Sequence, residues 1–233
     1  AIEPGSFDTV VLNSVVQYFP DVDYLVAVLK RAVELVGAGG RVFVGDVRHL
    51  GLLSAFRSSV VLGKAGAGSS VRQLRQRLAR ELAQEKELVI DPELFLALQQ
   101  QVPGIGSVEI LLKRGGFDNE LSRYRYDVVL HVGEAAASTA GAREEWRTGE
   151  SSIDELSSRL GERRPSQSWI AGVPNRRLGA DLAAARLLES SDEQLDVDAL
   201  RDELQRAEVA GEDPEAFWRV GEALGYETRV CWV

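Results

Sequence analysis

The stretch from residue 7 to residue 46 most constrains how this chain can fold. In Phe7–Asn13 the apolar side chains stand side by side instead of alternating, which predicts a buried parallel strand covered on both faces. Asp21 opens a stretch whose apolar residues recur at helical spacing as far as Val36. The glycine-rich run 37–40 is typical of a helix C-terminal cap, and residues 41–46 form a second apolar strand. Strand, helix and strand in this order predict a right-handed crossover unit of an α/β sheet.

Two polar loops follow these strands. Residues 13–20 leave the first strand and residues 46–49 leave the second. Because ligands of open α/β sheets bind at the carboxyl ends of the strands, we expect any ligand site to be built from these two loops.

Residues in this region resemble a known family. Residues 7–19 (FDTVVLNSVVQYF) and 39–48 (GGRVFVGDVR) closely resemble the fourth and fifth strands of class I S-adenosylmethionine-dependent methyltransferases. The resemblance is narrower to the methyltransferase domains embedded in nonribosomal peptide synthetases. Three later stretches fit the same family in the same order: 119–131 (NELSRYRYDVVLH), 173–178 (VPNRRL), and 213–218 with 224–227.

The resemblance implies an α/β fold. The chain would be the C-terminal half of a class I methyltransferase (Rossmann-like) sheet, with an antiparallel edge hairpin and a mainly helical C-terminal subdomain. The implied activity is methyl transfer from S-adenosylmethionine to the nitrogen of an aminoacyl group tethered to a carrier protein. The implied partners are a neighbouring adenylation domain and a phosphopantetheinyl carrier protein, with an MbtH-like protein as a further candidate.

Two other functions stay open. The chain could be a truncated, non-catalytic methyltransferase-like scaffold beside an adenylation domain, or the methyl acceptor could be carbon or oxygen. The family's glycine-rich cofactor turn should precede residue 1 and is absent. With the lack of methionine, this predicts a piece of a longer polypeptide, although removal of the initiator explains the missing methionine equally well. It also predicts that the chain alone binds S-adenosylmethionine weakly or not at all.

Composition narrows the partners and the setting. A net charge of -9 argues against nucleic acid, because phosphate binding needs a basic face. The single cysteine, Cys231, excludes an intrachain disulfide and fits a cytoplasmic protein. No apolar run is long enough to span a bilayer. The two histidines, His49 and His131, belong to no metal-ligand pattern, so no metal is expected.

The predicted domain organisation has three parts. Residues 1–134 are the C-terminal half of the methyltransferase core, with a helical acceptor-side insertion at 50–102. Residues 135–150, rich in Ala, Ser and Gly, are a linker. Residues 151–233 are a helical subdomain with short strands, which we expect to pack onto the sheet. Its predicted helices are 153–160, 177–188, 197–206 and 214–224, and its predicted strands are 168–173 and 227–233.

The insertion begins with a helix over residues 50–62. Residues 63–70 hold the glycines, lysine and serine of a phosphate-binding loop, but the lysine precedes two of the glycines. A linker with a helix cap at Ser69 or Ser70 is therefore the better interpretation. Asp91, followed by proline and glutamate, predicts the start of another helix.

Residues 71–88 are predicted to form a charged helix. Its arginines, Arg72, Arg75, Arg77 and Arg80, could form a basic surface for an acidic carrier protein. A solvated face paired with Glu81 and Glu85 is the favoured interpretation. Residues 107–114 and 123–132 are predicted to pair as an antiparallel hairpin at the sheet edge.

Three residues after the first strand are predicted to bind the cofactor: Asn13, Ser14 and Gln17. Tyr18 is a candidate catalytic residue in the same loop, and a buried aromatic under the next helix is an equally good interpretation. Asp46 and Arg48 leave the second strand and are predicted to bind substrate. Their alternative is a local salt bridge.

The motif at 119–131 supplies the remaining candidates. Glu120 is predicted to be the acid or base near the acceptor nitrogen, because an amine must lose a proton to accept a methyl group. Its alternative is an ion pair with Arg123, and the sequence leaves both open. Arg123, Arg125 and Tyr126 are predicted to bind substrate. His131 and Cys231 are predicted to be structural, the cysteine in the core.

Overall fold

The computed structural model describes residues 2–133 and 143–232, and these form two compact units. The sheet unit contains residues 2–51, 86–133 and 229–232. The helical unit contains residues 52–85 and 143–228. Half of the predicted linker, residues 135–142, lies outside the described residues, and residues 143–145 of the other half form a short strand instead.

The sheet unit is built on a mixed four-stranded sheet, so the predicted α/β class is confirmed. Its strand order is β1-β2-β4-β3, with β1 and β2 parallel and the other two pairs antiparallel. The strands are β1 (Phe7–Asn13), β2 (Val36–Arg48), β3 (Ile105–Leu112) and β4 (Arg125–Val132).

The predicted helices are present, most of them with the expected caps. Asp21 accepts a hydrogen bond from the Tyr24 backbone and Asp91 from the Glu93 backbone, which satisfies helix N-terminal donors. Ser70 forms a capping box with Gln73. The helices are α1 (Val22–Leu35), α2 (Leu53–Gly63), α3 (Val71–Ala83), α4 (Pro92–Gln101), α5 (Glu120–Tyr124), α6 (Ile153–Arg163), α7 (Arg176–Ser190), α8 (Val197–Arg206) and α9 (Pro214–Leu224).

The predicted role of glycines 37–40 as a helix cap is wrong. Helix α1 ends at Leu35, and Val36 is already extended as the first residue of β2. A Cβ at Gly40 would lie 2.4 Å from the Asp8 carbonyl oxygen. Glycine is therefore needed there because the backbones of β1 and β2 approach closely.

The predicted burial of β1 on both faces is also wrong. β1 is an edge strand whose one described neighbour is β2, and Val11 is 59% exposed. The parallel pairing of β1 with β2 is confirmed. The run of adjacent apolar residues therefore predicted the strand and its parallel direction. It did not predict the exposure of β1, because a strand is buried on both faces only where further elements cover it, and the described residues do not supply them.

The predicted hairpin differs in its connection. β3 and β4 pair antiparallel as expected, but the short helix α5 stands between them. Asn119 caps this helix by accepting from the Leu121 and Ser122 backbones. Arg123 is therefore helical, and β4 begins at Arg125.

The predicted strand at 227–233 is reduced to one antiparallel bridge between Cys231 and Leu111. Backbone bonds of 3.0 Å from Leu112 to Val230 and 3.1 Å from Trp232 to Ile110 hold this segment on the edge of β3. Cys231 itself is exposed, so its predicted core position is wrong. Trp232 instead packs against the sheet core.

The helical unit has its own apolar core where α2, α3, α7 and α8 meet. Two short parallel strands, β5 (Arg143–Glu145) and β6 (Trp169–Ala171), accompany these helices. The buried residues of this core are Val61, Leu62, Val71, Leu74, Ala184, Leu188, Val197 and Leu200.

The expected insertion at 50–102 is divided between the units. Helices α2 and α3 belong to the helical unit, whereas α4 packs on β3 in the sheet unit. Leu74 on α3 is buried in the same cluster as Leu188 on α7. This packing joins residues more than a hundred positions apart, and no local pattern reveals it.

The predicted solvated face holds for Arg72 and Arg80, which are exposed, whereas Arg75 secures the helical unit. Arg75 donates to the carbonyl oxygens of Leu188, Glu189 and Ser191, at the end of α7. The expected pairing of the α3 arginines with Glu81 and Glu85 is replaced by pairing with Arg57 of α2, at 3.7 and 2.7 Å.

Candidate functional site

Three strand ends and one strand start lie together at one end of the sheet. β1 and β2 are parallel and β4 runs antiparallel to both of its neighbours, so the ends of β1, β2 and β3 lie beside the start of β4. We call the linked polar residues there the strand-end cluster: Asn13, Ser14, Gln17, Asp46, Lys113, Glu120, Arg125 and Asp127.

A half-buried lysine joins two carboxylates at the centre of the strand-end cluster. The Lys113 Nζ atom lies 2.8 Å from Asp46 Oδ1 and 2.9 Å from Asp127 Oδ1. Asp127 Oδ1 also accepts the Asp46 backbone N–H at 3.0 Å. Three strands, β2, β4 and the end of β3, are thereby tied together at one point.

The two predicted loops meet through their first residues. The Ser14 hydroxyl donates to Asp46 Oδ2, and the Ser14 N–H donates to the Gly45 carbonyl at 3.1 Å. Ser14 and Asp46 both have left-handed backbones, with φ values of 56° and 61°. This conformation costs roughly 1–2 kcal/mol for each non-glycine residue, so the surrounding hydrogen bonds must hold it.

Asn13 and Gln17 complete the loop after β1. The Asn13 amide donates to the Ser14 hydroxyl at 3.1 Å and packs so closely on Gly45 that a Cβ there would meet Asn13 Oδ1. Gln17 is buried, and its Nε2 donates to the Ser14 carbonyl at 3.0 Å. Its buried Oε1 has no hydrogen-bond partner in the described part of the chain.

Glu120 sits at the rim of the strand-end cluster, exposed and 3.2 Å from Arg125 Nη2. The expected alternative pairing with Arg123 is wrong, because Arg123 binds both carboxylate oxygens of Asp118 at 2.6 and 2.8 Å. The Nε atom of Arg125 is buried and finds no hydrogen-bond partner among the residues described. Two buried polar atoms at the site, one acceptor and one donor, therefore remain available.

Four predicted site residues lie outside the strand-end cluster, and one of them is Arg123, which pairs with Asp118. Tyr18 is 72% exposed, which excludes its interpretation as a buried aromatic. Arg48 is buried and pairs with Glu87 at 3.1 Å, the local salt bridge that was its alternative. Tyr126 is in the core, and its hydroxyl donates to the Ile90 carbonyl at 3.0 Å.

The charges at the centre of the strand-end cluster stabilise one another. Burial alone would raise the pKa of Asp46, but the hydrogen bonds from Lys113 and Ser14 and the positive charges of Lys113 and Arg125 outweigh it, so the pKa lies below its usual value. Burial alone would lower the pKa of Lys113, and its bonds to Asp46 and Asp127 raise it instead. Both groups are therefore charged across the physiological pH range.

Lys113 and Asp127 were missed by the sequence analysis. Lys113 follows β3, and its position depends on the register that places Leu111 opposite Asp127. The sequence does contain one indication of the role of Asp127. In β4 polar and buried residues alternate, and Arg125 and Asp127 are two of the polar ones. That pattern places the two side chains on one face without naming their partner.

A cleft of about 460 Å³ lies in the helical unit, within residues 144–170. It is lined by glutamates and arginines that largely pair with each other, such as Glu144 with Arg159 and Glu150 with Arg147. Across residues 2–133 and 143–232, no group of three or more histidine, cysteine or acidic residues could hold a metal ion. None of the helices in those ranges has the length and apolar character to cross a membrane.

Comparisons with known proteins point to one class of enzyme. No family model matches the chain. A chondramide synthase from Chondromyces crocatus is 40% identical over 233 residues, which covers 98% of this chain. A probable nonribosomal peptide synthetase from Salinispora arenicola is 42% identical over 186 residues, or 80% of this chain. The chain is related to a segment of nonribosomal peptide synthetases.

The relationship covers a small part of each large synthetase. The chain spans 6% of the chondramide synthase and 2% of the Salinispora arenicola protein. The cyclosporin synthetase of Tolypocladium inflatum is 41% identical over 139 residues, which cover 57% of this chain and 1% of that synthetase. The related synthetases come from both bacteria and fungi, and their common segment includes the sheet described above or part of it.

Proposed function

We propose that this chain is the C-terminal part of a methyltransferase domain of a nonribosomal peptide synthetase. The domain would transfer a methyl group from S-adenosylmethionine to the nitrogen of an aminoacyl group tethered to a carrier protein. The observation that carries the proposal is the strand-end cluster, which lies where open α/β sheets bind ligands. Two further observations support the proposal. The chain is related to peptide synthetases. In addition, β4, the last strand of the four-stranded sheet along the chain, runs antiparallel to β2.

The residues present fit one side of a cofactor site. Gln17 offers a buried acceptor and Arg125 a buried donor, each without a partner among the described residues. The exposed Asn13 lies on the same loop as Gln17, and its amide bonds to the Ser14 hydroxyl. Asn13, Ser14 and Gln17 would hold the cofactor, which supplies an activated methyl group when bound.

Besides binding the cofactor, such a site must align the acceptor nitrogen and remove its proton. Methyl transfer gains most from holding the acceptor in line with the methyl group in a dry pocket. Glu120 is the candidate base, because its carboxylate is exposed at the rim of the strand-end cluster and could accept the acceptor's proton. Arg125, 3.2 Å away, would hold that carboxylate in place.

The test uses the intact parent synthetase, loaded with an aminoacyl group and supplied with labelled S-adenosylmethionine. Asn13→Ala should lower single-turnover methyl transfer with little change in thermal stability, whereas Gln17→Ala should lower both, because it also removes a buried hydrogen bond to the Ser14 carbonyl. Glu120→Gln distinguishes a general base from an ion-pair partner of Arg125. If Glu120 is the general base, the rate of methyl transfer should fall by roughly a hundredfold or more. An ion pair alone predicts near-normal turnover and a stability loss of about 1 kcal/mol or less.

Controls decide how each result is read. Asp118→Asn removes the neighbouring exposed ion pair with Arg123 and should leave methyl transfer unchanged. Normal transfer in all three site variants would remove the site assignment. A loaded wild-type synthetase that transfers no methyl group would refute the proposed activity and favour the scaffold. Analysis of the product identifies whether nitrogen, carbon or oxygen carries the label.

A further inference from the structure

Lys113, which the sequence did not predict for the site, bridges two carboxylates of the strand-end cluster. Its Nζ atom lies within 2.9 Å of one oxygen of Asp46 and one of Asp127. The three side chains are 21%, 14% and 17% exposed, respectively, so water screens their charges only in part. The lysine is the link between β3 and the carboxylates of β2 and β4.

The same two carboxylates hold the loops in place. Asp46 uses its second oxygen to accept the Ser14 hydroxyl, and Asp127 accepts the Asp46 backbone N–H. Both backbones held in this way, those of Ser14 and Asp46, are left-handed. Non-glycine residues keep this conformation when the surroundings enforce it. Without a cation between them, Asp46 and Asp127 would repel each other and loosen these bonds.

We infer that Lys113 is a positioning residue that fixes the loop at the end of β1. Its ammonium group holds Asp46 and Asp127, and these hold Ser14 and its neighbour Asn13 in the observed conformation. In this role Lys113 touches no reacting atom and acts through the two carboxylates. The consequence for the loop stands by itself, whereas the consequence for catalysis rests on the proposed function.

The first experiment measures amide hydrogen exchange in this chain by NMR. The reporters are the amides of Ser14, bonded to the Gly45 carbonyl, and Asp46, bonded to the Asp127 carboxylate. Lys113→Met should speed exchange at both amides at least roughly tenfold, because local opening controls exchange there. Amides in the centre of β4 should exchange as in the wild type.

A matched control comes from the same sheet. Arg229→Met removes the ion pair between Arg229 and Glu109, which are 2.6 Å apart on the outer edge of β3. This variant loses an ion pair of the same sheet unit, more exposed than that of Lys113 and separate from the strand-end cluster, and should leave both reporter amides unchanged. Equal exchange in Lys113→Met and the wild type overturns the inference.

Charge balance provides a rescue. The double variant Lys113→Met with Asp127→Asn removes one carboxylate together with the cation, and the asparagine oxygen can still accept the Asp46 N–H. It should restore most of the protection. If the single variant does not fold, the double variant is the test. Exchange of the two reporter amides near the wild-type rate supports the inference. Exchange at least roughly tenfold faster in the folded double variant overturns it.

The second experiment measures methyl transfer in the intact synthetase. Lys113→Met should raise the KM for S-adenosylmethionine by roughly tenfold, while Arg229→Met leaves it unchanged. Lower stability alone would reduce the amount of active enzyme without changing KM. If the wild-type synthetase transfers no methyl group, the proposed function fails, and amide exchange still decides the role of Lys113.

Discussion

Replacing Arg75 with methionine should destabilise the helical unit far more than is usual for a charged, partly exposed residue on a helix. The guanidinium donates to three carbonyl oxygens at the end of α7, those of Leu188, Glu189 and Ser191, at 2.6–2.7 Å. The last carbonyls of a helix lack partners within the helix, so these bonds satisfy groups that would otherwise rely on water. Methionine keeps the aliphatic stem and removes all three donors.

The size of the effect follows from these contacts. A cation at a helix C-terminus contributes about 0.3–1 kcal/mol, and hydrogen bonds from a charged donor contribute roughly 1.5–3 kcal/mol when buried. Because the Arg75 side chain is 31% exposed, the bonds must be discounted, which leaves about 2 kcal/mol. For a protein of this size that corresponds to a melting temperature lower by roughly 4–8 °C.

Thermal and urea unfolding of this chain, followed by tryptophan emission, measure the loss. Three of the four tryptophans, Trp146, Trp169 and Trp218, lie in the helical unit, so the emission reports mainly on that unit. Arg72→Met on the exposed face of the same helix is the control and should change stability by less than about 0.5 kcal/mol. If the two variants lose equal stability, the helix-end clamp contributes nothing and the reasoning fails.

Three further predictions concern the sheet unit. Gly40→Ala should destabilise it by roughly 2 kcal/mol or more in urea unfolding, because the new Cβ would meet the β1 backbone, while Gly116→Ala, with nothing within 4 Å of its Cβ, should be nearly neutral. The low pKa of Asp46 means that its charge stabilises the fold above a pH of about 4 and that this contribution is lost as pH falls through the folded value; Asp46→Asn should therefore be less stable than the wild type at neutral pH and approach it near pH 2. Tyr126→Phe should cost about 1–2 kcal/mol, since the Ile90 carbonyl loses its buried donor; equal melting temperatures would contradict this.

Local chemistry explains what the sequence could predict. β1 and the helices α8 and α9 begin and end at the expected residues, because an apolar run, cap residues and proline act within a few positions. The loop after β1 was placed correctly for the same reason. The five-residue helix α5 was missed, because Asn119 caps it inside a stretch that otherwise reads as turn and strand.

Non-local contacts explain what it could not predict. The strand-end cluster needs the register of two strand pairs before Lys113 meets Asp46, 67 positions earlier in the chain. The pairing of Glu120 with Arg125 instead of Arg123 depends on where α5 ends. The division of the insertion depends on Arg75 and Leu74 meeting α7, which no short window contains.

The order in which the units draw on the chain has a consequence for synthesis on the ribosome. The sheet unit takes residues 2–51, then 86–133, and finally 229–232, and the helical unit fills the gaps. As the nascent chain emerges, β1 and β2 are synthesised before β3 and β4, so the four-stranded sheet cannot form until β4 is available. Trp232 reaches the sheet core only after α9 has been synthesised. Neither unit can therefore complete its folding early and separately. Contacts between residues far apart in the sequence form slowly, and apolar surface stays exposed until they form. A fragment cut between the units at any single position would split at least one of them, so an expressed protein must contain the whole of this chain to keep both units intact.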